Sequence, residues 1–245
     1  MNILKFVLFA FLFSNVMIAQ IDNETILNRT EFNRQVKKNI KIKVNLLYGN
    51  EKLIKGKLYT SSLQNELKIE TLKFYISNLK LIYQDGSTFI DKNGYHLINI
   101  EIDNNEFHLN GIDSLDIKSI SFLIGVDENK ALSGEMDGDL DPLNGMFWSW
   151  QSGFSSFKIE GVSPSCLTRK NEFILHIGGY KKPYNSLREI SFMVCNLINE
   201  SIEIKVDIKK LMNNIDLGKD NHIMSPGSIA MRIADLYQEI FSLND

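Results

Sequence analysis

The chain has 245 residues, of which 44% are hydrophobic and 23% charged, so it contains enough apolar residues for a sizeable core. Lysine and arginine number 27 against 30 aspartate and glutamate residues, and the formal net charge of -3 excludes a strongly basic nucleic-acid-binding protein. Two cysteines are too few for a disulfide-rich scaffold or a four-cysteine zinc site.

The first 19 residues have the order of a secretory signal. Lys5 precedes an unbroken apolar run over residues 6–13, and the small residue Ala19 ends the segment. The run is shorter than the roughly 20 residues that a membrane-spanning helix needs. We expect residues 1–19 to be a signal peptide, residues 20–39 to be a polar N-terminal segment, and the mature protein to be periplasmic or secreted, without a membrane anchor.

From residue 40 onward, alternation of apolar and polar residues dominates the sequence. This period of two predicts half-buried β-strands, and the Asp-Gly and Asn-Gly pairs between them are typical of antiparallel sheets. In one segment the apolar phase shifts between Ile76 and Leu79, which predicts a β-bulge near Ser77 and Asn78. Strands are expected around residues 42–46, 72–83, 95–100, 120–124, 154–159, 173–177, 190–194 and 202–208.

Near the C-terminus the apolar spacing changes to three and four residues. Ser225 and Pro226 form a typical helix start, and the apolar residues over 229–241 fall mostly on one helical face. The sequence therefore predicts an all-β fold, an antiparallel β-sandwich over residues 40–245, with one C-terminal α-helix packed on it.

The two cysteines are Cys166 and Cys195. Because an exported chain folds under oxidising conditions, these residues could form a disulfide. Two separately buried thiols are the alternative, and the sequence leaves both possibilities open. Neither cysteine has an adjacent histidine, so no reactive thiol is indicated.

Three alternate carboxylates, Asp137, Asp139 and Asp141, indicate a candidate acidic cation site, since Ca²⁺ prefers carboxylate oxygens. Pro142 and Trp148 occupy the positions at which an EF-hand loop needs glycine and glutamate, which excludes that motif. A solvated turn is the alternative interpretation of the three aspartates.

Two tryptophans occur in the segment GMFWSWQSGF. In an extended strand, Met146, Trp148 and Trp150 would project to one face, and Phe147 and Ser149 to the other. Two indoles on one face indicate either a core or interface wall, or an electron-rich site that stacks a ligand or is itself modified.

The chain has four histidines, His96, His108, His176 and His222, and no pair has the spacing of a local metal motif. A metal site must therefore be assembled by the fold. His176 is expected to share a strand face with Ile174 and to precede two glycines, where the backbone can be approached closely. A satisfied core histidine is the alternative for His176.

His222 lies two residues before Met224. Imidazole and thioether together form a soft donor pair that suits Cu(I). Hydrolase chemistry has little support, because the chain has no Gly-x-Ser-x-Gly elbow, no His-Glu-x-x-His motif and no glycine-rich phosphate loop. We therefore do not expect an enzyme.

Six segments, in this order, resemble the MbnP-like family, in particular the branch common in Bacteroidetes. The resemblance covers residues 40–245 and implies a β-sandwich, periplasmic copper binding, and a di-haem MauG-like (MbnH-type) partner enzyme that oxidises a tryptophan to kynurenine at the copper site. The segments are FYISNLKL at 74–81, GVDENK at 125–130, GDLDPLNGMFWSWQSGF at 138–154, FKIEG at 157–161, FILHIGGY at 173–180 and HIMSPGSIAMRIADLY at 222–237.

Carried over to this sequence, the resemblance implies copper ligation by His176 and oxidation of Trp148 or Trp150. His222 and His96 are candidate replacement ligands, provided that the fold brings them near His176. This chain departs from the copper-binding members at two positions.

Lys130 follows Asn129 where those members have a histidine, and the early strand reads VNLLYG over residues 44–49, without a histidine. The leading hypothesis is an exported, non-enzymatic copper-binding protein, with Ca²⁺ as a further candidate ion. The alternative is a metal-free extracytoplasmic interaction or ligand-binding module that uses an aromatic patch.

Overall fold

In the computed structural model, the larger of two compact units consists of Ile40–Leu109 with Ile117–Asp245, and the described part of the smaller unit consists of residues 37–39, 110–113 and 116. The expected signal peptide and most of the expected polar segment lie outside the described residues. The first strand already begins at Lys37, within the segment expected to be polar. The described residues are 37–92, 94–113, 116–149, 153–194 and 201–244.

Strands dominate the described residues, and the helices are short. None of the described helices is long and apolar enough to cross a membrane. The strands are β1 Lys37–Tyr48, β2 Glu51–Lys52, β3 Leu58–Thr60, β4 Glu66–Tyr83, β5 Thr88–Ile90, β6 Tyr95–Asn99, β7 Asn105–Asp113, β8 Ile117–Ile124, β9 Phe147–Ser149, β10 Gly153–Val162, β11 Glu172–Gly178, β12 Arg188–Met193, β13 Ser201–Asp207, β14 His222–Ile223 and β15 Phe241–Leu243. The helices are α1 Glu128–Ser133, α2 Ile208–Met212, α3 Ser228–Asp235 and α4 Tyr237–Ile240, with two 3-10 turns, Gly138–Leu140 and Pro142–Asn144.

The large sheet is organised around β4, which has 18 residues. Its strand order is β12-β8-β4-β10-β11-β14, while β3, β5 and β6 also pair with β4, and β9 pairs with β10. Lys73 of β4 has Lys158 of β10 on one side and Asn99 of β6 on the other. β6 and β10 therefore lie on opposite sides of β4.

The predicted bulge in β4 is confirmed. The register between β4 and β8 shifts between Ser77 and Lys80, and Asn78 has a φ of 49°. A bulge inserts an extra residue into one strand, and that explains why the apolar phase slips at this point of the sequence.

The small sheet has the order β15-β13-β1-β2, with β7 also pairing with β1. β1 and β13 run parallel, from Lys41 opposite Ser201 to Leu47 opposite Asp207, and β11 and β14 are parallel as well. The expectation of purely antiparallel sheets was therefore wrong, and the sheets are mixed. Parallel neighbours need a long crossover, and most strands of the large sheet lie between β1 and β13 in the sequence.

Aromatic rings join the two sheets of the larger unit. Phe74 of β4 stacks on Phe157 of β10 at a centroid distance of 5.2 Å, and meets Phe241 of β15 edge-on at 5.7 Å. Since β15 belongs to the small sheet, the two inner faces pack against each other as in a β-sandwich.

The C-terminal helix is present, with two differences from the expectation. It begins at Ser228 with Gly227 as its N-cap, three residues after Ser225, and α4 follows it directly after Leu236. In α4, Tyr237 is fully buried and stacks on Phe157 at 5.2 Å. The helical segment therefore contributes directly to the core between the sheets.

Candidate functional site

The outer face of the large sheet carries a second hydrophobic cluster, here called the outer cluster. Tyr75 belongs to it and alternates along β4 with Phe74, which faces the inner core. The segment over residues 126–149 covers this part of the sheet. The outer cluster consists of Tyr75, Val126, Ala131, Leu140, Met146, Phe154 and Tyr180.

Hydrogen bonds fix the covering segment to the sheet just before Trp148. The Lys73 ammonium donates to the carbonyl of Asn144 at 3.0 Å, and the Lys158 ammonium donates to the carbonyl of Gly145 at 3.3 Å. Gly145 ends the second 3-10 turn with a φ of 71°, a left-handed conformation that favours glycine. The backbone just before Trp148 is therefore held to the sheet by two lysine hydrogen bonds and restrained by the turn at Gly145.

The indole of Trp148 lies against His176. Their ring centroids are 6.3 Å apart with an interplanar angle of 30°, and His176 is only 7% exposed. A Cβ atom at Gly178 would lie 3.0 Å from the indole and 2.8 Å from the carbonyl oxygen of Phe154. The prediction that the backbone beside His176 is closely approached is confirmed, and a residue larger than glycine would crowd the indole there.

The predicted alternation of the tryptophan segment was wrong. Met146 is fully buried in the outer cluster and Phe147 also packs against it, whereas Trp148 is directed to His176. β9 has only three residues, and its register with β10 shifts at Gly153, so the strand cannot maintain a period of two. Trp150 lies outside the described residues.

Glu160 holds the imidazole of His176 from the neighbouring strand β10. The carboxylate Oε1 lies 2.6 Å from His176 Nε2. This hydrogen bond lowers the pKa of Glu160 to about 2, against the effect of burial, with further help from Thr71 and Lys158. Glu160 is therefore an ionised acceptor at neutral pH, and Nε2 of His176 donates to it.

The parallel pairing of β14 with β11 brings His222 close to this position. His222 lies opposite Ile174, and Ile174 shares the outer face with His176 two residues farther along β11. Neighbouring strands are about 4.8 Å apart, so the two histidines are diagonal neighbours on one face. His222 is exposed, and Met224, two residues later, is 49% exposed.

His96 is not brought to His176. It lies on β6 opposite Ile76, on the face that carries Phe74, and two strands separate β6 from β11, so three strand spacings amount to roughly 14 Å. Its Nε2 atom lies 3.0 Å from the Asp91 carboxylate, and its ring stacks on Phe107 at 3.6 Å. The expectation that His96 joins the same ligand set does not match this geometry.

The acidic segment forms turns. Asp139 accepts a hydrogen bond from the backbone N–H of Leu97, and Asp141 accepts one from the N–H of Leu143, each at 2.8 Å, while Asp137 is exposed. Among the described residues, no group of three or more histidine, cysteine, aspartate or glutamate side chains is placed to hold a metal ion. The three aspartates therefore do not converge as the candidate cation site required, and the histidines form at most a pair.

The family model described as MbnP matches residues 37–225. The chain belongs to the MbnP family. Among solved structures, MbnP from Methylosinus trichosporium matches with a TM-score of 0.63 and 12% sequence identity, covering 85% of this chain and 98% of that chain. At this identity the likeness establishes a shared fold. No curated protein sequence matches the chain.

Lys130 of this MbnP-family chain occupies the position at which the resemblance expects a histidine. Its ammonium lies 2.9 Å from the Glu135 carboxylate and 5.8 Å from the ring centroid of Tyr95. Beside it, Asp127 accepts hydrogen bonds from the Tyr95 hydroxyl at 2.6 Å and from Asn78 at 3.3 Å. Burial opposes ionisation, but these hydrogen bonds keep the pKa of Asp127 below its ordinary value.

These residues line a cavity of about 470 Å³. Two lysines, Lys92 and Lys130, line this cavity, and their positive charges would repel a metal ion. At the position where the resemblance implied a histidine, this chain therefore has an ammonium group that pairs with the exposed Glu135 carboxylate.

A second cavity of the MbnP-family chain lies elsewhere. Its volume is about 790 Å³, and its walls come from β1, the residues around β2 and residues 100–105. None of the histidines, tryptophans or cysteines singled out from the sequence lines it.

Cys166 is buried, and burial raises the pKa of its thiol. Cys195 lies outside the described residues, so the pairing of the two cysteines stays a prediction. The raised pKa agrees with the expectation that Cys166 is not a reactive nucleophile.

Glu160 is the site residue of this MbnP-family protein that sequence reasoning missed. It alternates with Ile159 like any polar residue of a half-buried strand. The available signal was its place in FKIEG, one of the segments that carry the family resemblance. The antiparallel register of β10 and β11 places Lys158 opposite His176, and Glu160 lies two residues from Lys158 on the same face. Only this strand pairing reveals that Glu160 is a neighbour of His176.

Proposed function

We propose that this MbnP-family protein is an exported, non-enzymatic protein that binds Cu(I) on the outer face of its large sheet. The ligands are the imidazoles of His176 and His222, and the bound ion lies beside Trp148. The parallel register of β11 and β14 carries this proposal, because it makes the two histidines neighbours on one face.

The donor chemistry fits copper better than calcium. Two imidazoles are suitable ligands for copper, and the thioether of Met224 is a soft donor that favours Cu(I). Ca²⁺ takes six to eight oxygen ligands, whereas Asp139 and Asp141 already accept backbone hydrogen bonds in their own segment. The calcium alternative therefore has less support than the copper site.

Trp148 supplies the site with an oxidisable group. Indole is electron-rich, and its ring lies 6.3 Å from the imidazole of His176. We propose that a di-haem enzyme of the MauG-like type is the partner, with peroxide as the oxidant and kynurenine as the product. Two equivalents of hydrogen peroxide oxidise the indole to N-formylkynurenine and are reduced to water, and hydrolysis then releases the lost carbon atom as formate. Kynurenine has one carbon atom fewer and one oxygen atom more than tryptophan, so intact mass measured with and without the partner, and repeated on Trp148→Phe, tests the modification.

Copper titration tests the ligand set directly. The mature protein competes anaerobically with a chromogenic Cu(I) chelator, as wild type and as His176→Ala, His222→Ala and His108→Ala. His108 is the matched control, because it is exposed and lies on β7 of the small sheet. We expect at least tenfold weaker binding, about 1.4 kcal/mol, for the first two variants and unchanged binding for the control. Equal affinities in all four proteins would reject the site.

The metal-free aromatic module is the competing function. It requires exposed, coplanar indoles that stack a ligand, whereas Trp148 is half-buried and tilted against a histidine. A wild-type protein that binds no Cu(I) but retains saturable binding of a sugar or aromatic ligand would favour this alternative.

A further inference from the structure

We infer that Glu160 is a positioning residue for His176: it holds the imidazole through Nε2 and leaves Nδ1 as the atom that coordinates copper. The inference rests on the proposed copper function and adds the atom that binds and the residue that orients it. Glu160 itself is not a copper ligand in this proposal.

The chemistry of the hydrogen bond fixes the tautomer. A carboxylate can only accept, so the 2.6 Å contact between Glu160 Oε1 and His176 Nε2 needs the proton on Nε2. A neutral imidazole carries one N–H, and therefore Nδ1 keeps its lone pair. Within the described part of the chain, the hydrogen bond to His176 is the one from Nε2, so Nδ1 is not engaged there.

Glu160 is itself held from two sides. The ammonium of Lys158, two residues earlier on β10, lies 3.4 Å from the same carboxylate oxygen, and Thr71 lies directly opposite Glu160 on β4. The side chains thus come from β4, β10 and β11, which are adjacent strands of one sheet. A carboxylate fixed in this way restricts the rotation of the imidazole.

Metal-binding histidines usually donate their second ring N–H to a carboxylate, carbonyl or water, and this contact sets the orientation and basicity of the ligand. The alternative is a purely structural ion pair that tethers β10 to β11. The two alternatives differ in what removal of Glu160 does to copper affinity, since a structural pair changes stability alone.

The first test uses the metal-free protein and needs no copper. Long-range ¹H–¹⁵N spectra of ¹⁵N-histidine-labelled protein at pH 8 report which ring nitrogen carries the proton, and His176→Gln assigns the signal. We expect a protonated Nε2 and an unprotonated Nδ1 at His176, and a mixture of tautomers in Glu160→Ala. A proton on Nδ1 in the wild type would overturn the inference.

The second test measures Cu(I) affinity of Glu160→Ala and Glu160→Gln, with Glu172→Gln as the control. Glu172 lies on β11 and its partner is Lys170 at the surface, 3.6 Å away. Loss of such an orienting group weakens metal binding by about 10- to 100-fold, and we expect this for Glu160→Ala, a smaller loss for Glu160→Gln, and none for the control. Glu160→Gln keeps the test decisive if Glu160→Ala does not fold.

The outcomes separate the two proposals. A wild-type protein that binds no Cu(I) overturns the proposed function, and coordination through Nδ1 fails with it. A protein that binds Cu(I) through His176 but is indifferent to both Glu160 substitutions, or that has its proton on Nδ1, overturns only the role of Glu160.

Discussion

Two histidine–carboxylate pairs occur on the large sheet and its loops within the described residues, and the comparison between them shows what distinguishes a candidate site from a structural contact. His176 lies 2.6 Å from Glu160, and His96 lies 3.0 Å from Asp91. Each imidazole also has an aromatic neighbour. In the His96 pair that neighbour is Phe107, whose ring lies nearly parallel to the imidazole at 3.6 Å and covers it.

The surroundings of the two pairs differ more than the pairs themselves. Asp91 is five residues from His96 and reaches it within one local turn, whereas Glu160 approaches His176 from a neighbouring strand. Next to His176, the parallel strand β14 adds a second imidazole on the same face. A histidine bonded to a carboxylate is thus common structural chemistry, and the neighbouring donor makes one of the two a candidate metal site.

The largest expected difference between the pairs is in the free energy of unfolding. The hydrogen bond from His176 holds the pKa of Glu160 at about 2, below its ordinary value of 4.5. A carboxylate with a lowered pKa stabilises the folded state above its unfolded-state pKa, and this contribution is lost as the pH falls through the folded-state value. We expect Glu160→Gln to lose about 2 to 3 kcal/mol at pH 7, with the loss shrinking between about pH 5 and pH 2.

Chemical denaturation at several pH values measures this difference. Asp91→Asn is the matched control, and since its pair is local and partly exposed we expect a loss below about 1 kcal/mol. If the loss for Glu160→Gln were the same at pH 7 and near pH 2, the stabilising effect would not come from the ionised carboxylate.

A glycine lies beside each histidine–carboxylate pair. Alanine substitutions at these two glycines should destabilise the protein to different extents. A methyl group at Gly178 would lie 2.8 Å from a backbone oxygen, that of Phe154, and 3.0 Å from the indole of Trp148. At Gly94 it would meet the carboxylate of Asp91 and lie 2.7 Å from His96 Nε2, which are the ends of side chains that can move.

We expect Gly178→Ala to cost about 1 to 3 kcal/mol, as overpacking typically does, and Gly94→Ala to cost less. Thermal denaturation compares the two variants. In a Trp150→Phe background Trp148 is the sole tryptophan, and its emission should shift to the red only in Gly178→Ala, because the indole is displaced toward water. An unshifted emission together with unchanged stability would show that the indole does not depend on Gly178.

The strands were predictable because alternation is a local property of the sequence. Residues 202–208 were expected to form a strand, and β13 occupies Ser201–Asp207. Its parallel pairing with β1 was not predictable, since nothing within either segment records which distant strand lies beside it. The Asn-Gly pairs were expected to lie between strands. Asn110 and Gly111 instead lie inside β7, although Gly111 has the φ of 73° typical of a turn.

The candidate site was predictable by residue type and only partly by position. Trp148 and His176 were both singled out, but their contact depends on the register shift at Gly153 and on the space above Gly178. His96 and His176 are separated because β6, which carries His96, pairs with one edge of β4, whereas β10 pairs with the other edge and lies between β4 and the strand of His176. These are properties of pairing between strands, and a single sequence does not encode them locally.

The smallest expected difference concerns the aromatic neighbours. Double-mutant cycles on the free energy of unfolding isolate each ring contact, with alanine at one or both positions. The rings of His96 and Phe107 overlap at 3.6 Å with an interplanar angle of 7°, whereas those of Trp148 and His176 are 6.3 Å apart at 30°. We expect a coupling energy of about 1 kcal/mol for the first pair and about 0.5 kcal/mol or less for the second.

A weak coupling energy between Trp148 and His176 would support a functional role for the indole. An indole that gains little from its contact with His176 can shift when an ion binds to the imidazole, whereas the ring of Phe107 is tied to His96 and blocks access to it. A coupling at Trp148 as large as that at Phe107 would instead assign the indole a structural role, and His176 would then resemble His96 in having one face closed by an aromatic ring.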